Sequence, residues 1–189
     1  METHQQVAKA WADQIDKHHD GHHMFWIGDS IFSYGHHFKI ARIYTLAERK
    51  VALFTTRKYS SSTGRHQSYA RSAWGYDKPH PQFTVPHIDI HGSGAMEHTA
   101  NVGHMIQSVL DCIATAKRAR LYKTAHLNDA LTNLTSAQDY CRAFGLDWPT
   151  MRTPFPASAP QLTRAAIMRI AVDSSPELAA ALMPFCVEG

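Results

Sequence analysis

The chain has 189 residues, about one domain's worth, with 44% hydrophobic, 10% aromatic and 19% charged residues and a net charge of +3. A compact domain of that length buries roughly 70% of its unfolded surface, which supports an unstapled core and excludes collagen-like, disordered and disulfide-scaffold classes. No window nears the roughly 18 apolar residues of a membrane span, the opening METHQQVAKAWADQIDKHHDG has no apolar leader core, and Cys112, Cys141 and Cys186 form no Cys-x-x-Cys, so the expectation is a cytoplasmic protein with free thiols and no membrane partner.

Val7, Trp11 and Ile15, four apart, predict an amphipathic N-terminal helix that ends in the polar run Lys17 to Gly21. MFWIGDSIFSYG reads as two short strands around Gly28-Asp29, and HFKIARIYTL and KVALFTT as a further pair joined by AERK, so residues 24–56 form an antiparallel meander. Ser62 or Thr63 can cap the next helix, with Gln67 near the reciprocal position. Its buried stripe is Tyr69, Ala70, Ala73 and Trp74, and Gly75 stops it. DKPHPQFTVP carries three of the nine prolines and reads as a loop into a short strand, VPHIDI.

From His104 to Phe144, 41 residues contain neither Gly nor Pro. Ile106, Val109, Ile113 and Ala116 form one helical stripe; Leu127, Ala130, Leu134, Ala137, Cys141 and Phe144 form another. One continuous helix would be far longer than usual, which favours an antiparallel hairpin or a bent pair, with Arg120 and Lys123 interrupting the stripe, Thr135 or Ser136 starting another turn and Gly145 as C-terminal cap. MRTPFPASAP then connects to terminal helices at 161–172 and 175–186. The expected fold is α+β: a small antiparallel sheet with an N-terminal helix over 1–92, a long helical hairpin over 93–146, and a proline-rich connector with short C-terminal helices over 147–189, forming one compact unit.

The charge is segmented, at −3 over 1–38, +7 over 39–78, −3 over 79–116 and +2 over 117–189. Within the basic block, nine Lys and Arg interleave with Phe38, Tyr44, Phe54, Tyr59, Tyr69, Trp74 and Tyr76. Cations beside stacking groups suit a polyanion whose bases can lie on aromatic faces. The plainer reading is that strand alternation alone generates the interleaving and the cations solvate outer faces. Arg42, Arg57, Lys58, Tyr59 and Arg65 are the candidate contacts, and the SSSTG segment entering a helix adds Ser62 and Thr63 as anion donors. It is not a Walker loop, because the GK[ST] ending is absent.

Fourteen histidines exceed ordinary usage several-fold. HHDGHH at 18–23 could bind divalent metal weakly by composition. In VPHIDIHG, strand alternation would turn His87, Asp89 and His91 to one side, a facial ligand set for Zn or Fe(II), with His98 and His104 able to complete the shell. A divalent metal such as Zn is accordingly the one cofactor in view. The ordinary alternative is a solvated strand end. His37 and His66, near Lys58, Tyr59 and Arg65, could perform acid and base chemistry on a phosphodiester, or His66 could simply help cap its helix.

FWIGDSIFSYGHHFKIARIY followed by VALFTTRKYSSSTGRHQSYARSAW resembles an uncharacterised domain of small proteins from bacteriophages and other mobile elements, with a YSYG-x-HF-x-(I/L)-A-R hairpin and then YS-x-T-T-x-(K/R)-H ahead of a helix. The matching positions are Ser33, Tyr34, Gly35, His37, Phe38, Ile40, Ala41 and Arg42, then Tyr59, Ser60, Thr63, Arg65 and His66. Phe32 and Ser62 depart from the pattern conservatively. EHTANVGHM and the run ending in AFGL resemble the helical part that follows, so the likeness covers roughly residues 24–145. It implies no activity, but it puts His37, His66, His98 and Asn101 on polar motif positions, which adds His98 to the catalytic candidates and Asn101 to the binding ones.

Three functions follow as expectations. The first is a phage-type accessory protein, in the host cytoplasm, whose basic aromatic face binds nucleic acid or a nucleic-acid-associated host protein. The second is a small histidine- or metal-dependent hydrolase or nuclease using His37, His66 and His98. The third is a structural component that oligomerises through residues 104–144.

Overall fold

The structure, a computed structural model, describes residues 2–15, 18–47, 49–75, 80–147 and residue 180. The expected terminal helices at 161–172 and 175–186 lie outside the described residues, as does nearly all of 147–189. Two compact units, Met1–Ser93 and Gly94–Gly189, divide the chain. The class is α+β, as expected.

The first unit begins with α1 (His4–Asp13), opened by a Thr3/Gln6 capping box in which each side chain accepts from the other's backbone amide. Gln14 takes a left-handed conformation (φ 55°) and ends the helix, so Ile15 leaves the stripe and is exposed rather than buried with Val7 and Trp11. The polar run read only as the end of the helix supplies a strand, β1 (His18–Gly21), because a hairpin ladder to β2 (Met24–Ile27) satisfies its backbone without needing apolar side chains. Gly21 is required there: a Cβ on it would lie 2.8 Å from Val7 Cγ2 and 3.0 Å from the Glu2 carbonyl.

β3 (Ser30–Ser33), β4 (Lys39–Leu46) and β5 (Arg49–Thr55) continue the meander as the hydrophobic alternation predicts. A register shift at Ile31/Phe32 interrupts the β3–β4 ladder. α2 (Ser61–Trp74) then carries the chain over to β6 (Gln82–Val85), which pairs with β5 in parallel. The sheet is therefore not wholly antiparallel, because a helical crossover delivers its last strand in the direction of the one before. Sheet order follows chain order from β1 to β6.

Strand β6 ends at Val85, the first residue of the expected VPHIDI strand, and lies mostly in the stretch expected to be loop. Pro86 has no amide to donate, and the ladder stops with Thr56 N–H donating to the Val85 carbonyl. The following residues lie along the sheet instead, where the Tyr44 hydroxyl donates to the Ile88 carbonyl (2.8 Å) and accepts from the Ile90 amide (2.9 Å).

α1 and α2 bury Val7, Trp11, Ala70 and Trp74 with Met24, Trp26, Ile31, Ile40 and Phe54 from the sheet. Trp11 centres this core. Its ring meets Phe54 and Trp74, each 5.9 Å away, and its indole N–H donates to the Asp29 carbonyl (3.0 Å) in the β2–β3 turn. Gly28 supplies that turn's positive φ of 65°.

The second unit contains the expected hairpin, α3 (Ala95–Arg118) and α4 (Lys123–Phe144). α3 starts nine residues before His104, since a single glycine, Gly103, costs a long helix too little to prevent it. The turn expected at Thr135 or Ser136 does not occur; α4 runs through both. Both apolar stripes are buried in the pair apart from Phe144, which is half-buried, with Ile113, Ala116, Leu134 and Ala137 almost fully covered. Gly145 (φ 66°) ends α4 as expected, with the Leu146 amide donating to the Cys141 carbonyl (2.8 Å).

Candidate functional site

The end of β3 and the first turns of α2 form a joint of hydroxyl, imidazole and aromatic groups. Ser33 Oγ lies 2.7 Å from His66 Nδ1, both side chains buried. The His66 ring meets the edge of His4 from α1 at 4.4 Å and stacks on Tyr34 at 5.5 Å, and Tyr34 stacks in turn on His23 at 4.6 Å. His22 packs edge-on against His23. Phe38, just before β4, meets Tyr59, just before α2, at 4.7 Å. The two motif segments seen in the sequence thus face each other: Ser33, Tyr34 and Phe38 from one, Tyr59 and His66 from the other.

Burial, and then the neighbouring charges of His4, His23 and Arg65, lower the His66 pKa to about 4, so its imidazole is neutral near pH 7. The pKa of His23 is also lowered, by desolvation first and then by His22 and His4. A neutral imidazole against a hydroxyl is the first half of a nucleophilic dyad. Ser33, however, is 0% exposed and His66 only 3%, so no substrate reaches the pair. Their contact ties β3 to α2. His37 is exposed, and the neighbouring His36 packs on Phe25 and Phe32.

At the amino end of α2 the cap is Ser60 rather than Ser62 or Thr63. Ser60 alone has the extended backbone of an N-cap, and Thr63 stands at the third helical position, where it completes a reciprocal box. Ser60 Oγ accepts from the Thr63 amide (3.2 Å), while Thr63 Oγ1 accepts from the Ser60 amide (2.9 Å). Thr63 is therefore committed to the cap and buried, and Ser62 is left exposed in the first turn. Gln67, expected in the capping arrangement, reaches back instead to donate to the Arg57 carbonyl (2.7 Å). This bond fixes the loop that presents Arg57, Lys58 and Tyr59. All three are exposed, as is Arg65, and none of the cations has an ion pair among the described residues.

The rest of the basic block is differently employed. Arg42 donates from Nε to Asp29 (2.8 Å) and from Nη1 to Asp89 (3.1 Å) and lies over the Tyr44 ring, and Lys39 also pairs with Asp89. Arg42 is thus neutralised, and is a tie between the β2–β3 turn, β4 and the segment after β6 rather than a free anion contact. Arg71 bonds Thr84 Oγ1 (2.7 Å) and covers Phe54. Phe38, Phe54 and Trp74 are buried, so the interleaved aromatics are mostly core; Tyr59, at 70% exposure, is the one that stands in solvent among the described members of the set.

His87, Asp89 and His91 do not form the expected facial set. They follow β6 in irregular chain, so strand alternation never aligns them, and Asp89 is held by Lys39 and Arg42, which lower its pKa despite the opposing effect of partial burial. Among the described residues no three His, Cys, Asp or Glu side chains gather closely enough to hold a metal ion.

In the second unit, Tyr140 Oη accepts from Asn101 Nδ2 (2.9 Å) and lies 2.8 Å from His98 Nδ1, with Phe144 against both rings. His98, Asn101 and Tyr140 are all buried, and desolvation lowers the His98 pKa. The motif positions in this unit therefore bridge α3 to α4, and Asn101 belongs to no basic face. The bond of Asn133 to Cys112 Sγ adds a second bridge. Cys141 is a buried thiol whose pKa burial pushes up to about 11.

Sequence reasoning missed His4 and Tyr140, and it placed His23 and Gln67 in other roles, without their links to Tyr34 and to the Arg57 carbonyl. Tyr140 precedes Cys141 on the apolar stripe of α4 and could have been read as a second buried column. His4, by contrast, reaches His66 only through tertiary packing of α1. Comparison of the chain with family models, with curated proteins and with solved structures finds no match.

Proposed function

We propose that the chain is an accessory protein that binds nucleic acid at the amino end of α2, with Arg57, Lys58 and Arg65 on the phosphates and Tyr59 as a stacking platform for a base. The observation that carries this reading is the set of three exposed cations, unpaired among the described residues, within nine residues of chain that also present an exposed aromatic ring. Two features support it. The first-turn amides of Ser61 and Ser62 have no intrahelical acceptor and add partial positive charge at the same end. Tyr59 is braced by Phe38 and Arg57 by Gln67, so the contact groups are held before a ligand arrives. The resemblance of both motif segments to small bacteriophage and mobile-element proteins favours an accessory role in a host cytoplasm.

The test is fluorescence anisotropy with labelled single- and double-stranded oligonucleotides across about 50–200 mM salt. The wild-type chain is expected to bind with steep salt dependence. Replacing Arg57, Lys58 and Arg65 together by Ala is expected to weaken binding at least tenfold and to reduce the logarithmic salt slope by about two for single strands. Absence of binding at low salt overturns the reading.

A further inference from the structure

The loop joining α3 to α4 carries a surface that no part of the site above uses. Residues 112–128 contain no Asp or Glu, and at their centre Lys117, Arg118 and Arg120 are exposed, with no ion pair among the described residues. Between the two helices stand Leu121 and Tyr122, 72% and 77% exposed, the latter held at φ 62° with no side-chain cap to occupy it. Lys117 and Arg118 have an ordinary explanation, since cations in a last helical turn offset the helix dipole. Arg120 lies beyond the helix, and that explanation does not extend to two large apolar side chains turned to water at a loop tip. Exposed Leu and Tyr cost solubility and contribute nothing to the core of the hairpin.

We infer that the tip of the α3–α4 hairpin is a nucleic-acid contact, in which Lys117, Arg118 and Arg120 engage phosphates and Tyr122, flanked by Leu121, stacks on an unpaired base. Charge complementarity selects the polyanion. Two of the three cations are arginines, whose planar fork matches a phosphate bidentately. One Leu and one Tyr bury too little apolar area to anchor a chain in a bilayer, whereas a single aromatic ring is a full platform for one base. This inference rests on the second unit alone, and the variants and crosslinks below separate it from the α2 reading; only absence of binding by the wild-type chain overturns both.

The experiment uses the full chain and a fluorescent single-stranded 20-mer. Tyr122→Ala is expected to weaken binding about five- to 150-fold and Tyr122→Phe to restore it, since the ring and not the hydroxyl stacks. The Arg118→Ala/Arg120→Ala pair is expected to weaken binding and lower the salt slope by about 1.4. A bromodeoxyuridine 20-mer photo-crosslinked to the wild-type chain, mapped by mass spectrometry, is expected to attach within 118–122 and needs no variant to fold. Crosslinks confined to other segments, or full affinity in both tip variants while the Arg57/Lys58/Arg65 variant loses it, overturn the tip and leave the α2 reading intact. Loss in the tip variants alone supports the tip and overturns the α2 reading. Absence of binding by the wild-type chain, or tip-dependent sedimentation with phosphatidylserine vesicles in place of the oligonucleotide, overturns the tip as a nucleic-acid contact.

Discussion

His66 shows how one side chain can resemble a catalyst while serving the fold. It is an imidazole beside a hydroxyl, close to cations, yet the hydroxyl has no access to solvent. Its lowered pKa is a statement about stability. Between the ordinary value of 6.5 and about 4 the unfolded chain takes up a proton that the folded chain refuses, so stability falls as pH drops through that window and is fully present above it. The contribution is at most about 3 kcal/mol. Urea midpoints at pH 7 and pH 5 are expected to differ in the wild type, and His66→Gln, which cannot titrate, is expected to narrow the gap. An equal gap in both proteins would remove His66 as its source. His66→Ala is expected to lose about 2–4 kcal/mol at pH 7, combining a cavity with an orphaned Ser33 hydroxyl.

At the scale of the element, α2 is both a lid on the core and the holder of its own entry loop. Gln67 is buried, and its bond to the Arg57 carbonyl fixes the chain that carries Arg57, Lys58 and Tyr59. Gln67→Ala is expected to cost about 1–2 kcal/mol and to weaken nucleic-acid binding a few-fold with the salt slope unchanged, because no phosphate contact is removed. A changed slope would mean that Gln67 itself meets the ligand. The four strands between Met24 and Thr55, the α2 helix and the hairpin were legible in the sequence because periodicity and turn residues act locally. β1 was not, since its stability lies in pairing with β2 and not in its own composition. The candidate site was less legible still: Arg42 has the same residue type as Arg57, and only the positions of Asp29 and Asp89, 13 and 47 residues away, decide which of them is neutralised.

At the scale of the whole molecule, the unit Met1–Ser93 contains the entire sheet, both helices α1 and α2, and three of the four tryptophans, Trp11, Trp26 and Trp74. Expressed alone, residues 1–93 are expected to give a dispersed amide NMR spectrum and to keep the near-ultraviolet dichroism of buried indoles; a collapsed spectrum would show that the unit needs the rest of the chain. The identity of sheet order and chain order has a further consequence, for a chain still being made. Each strand from β2 to β5 emerges beside a neighbour already synthesised, so every closure spans a short loop and costs little entropy. Only β6 must wait, until α2 and its connection have followed Thr55. At bacterial to eukaryotic synthesis speeds that interval of about 30 residues lasts on the order of 2–6 seconds, and for that long the rim of β5 stands open to any other nascent strand.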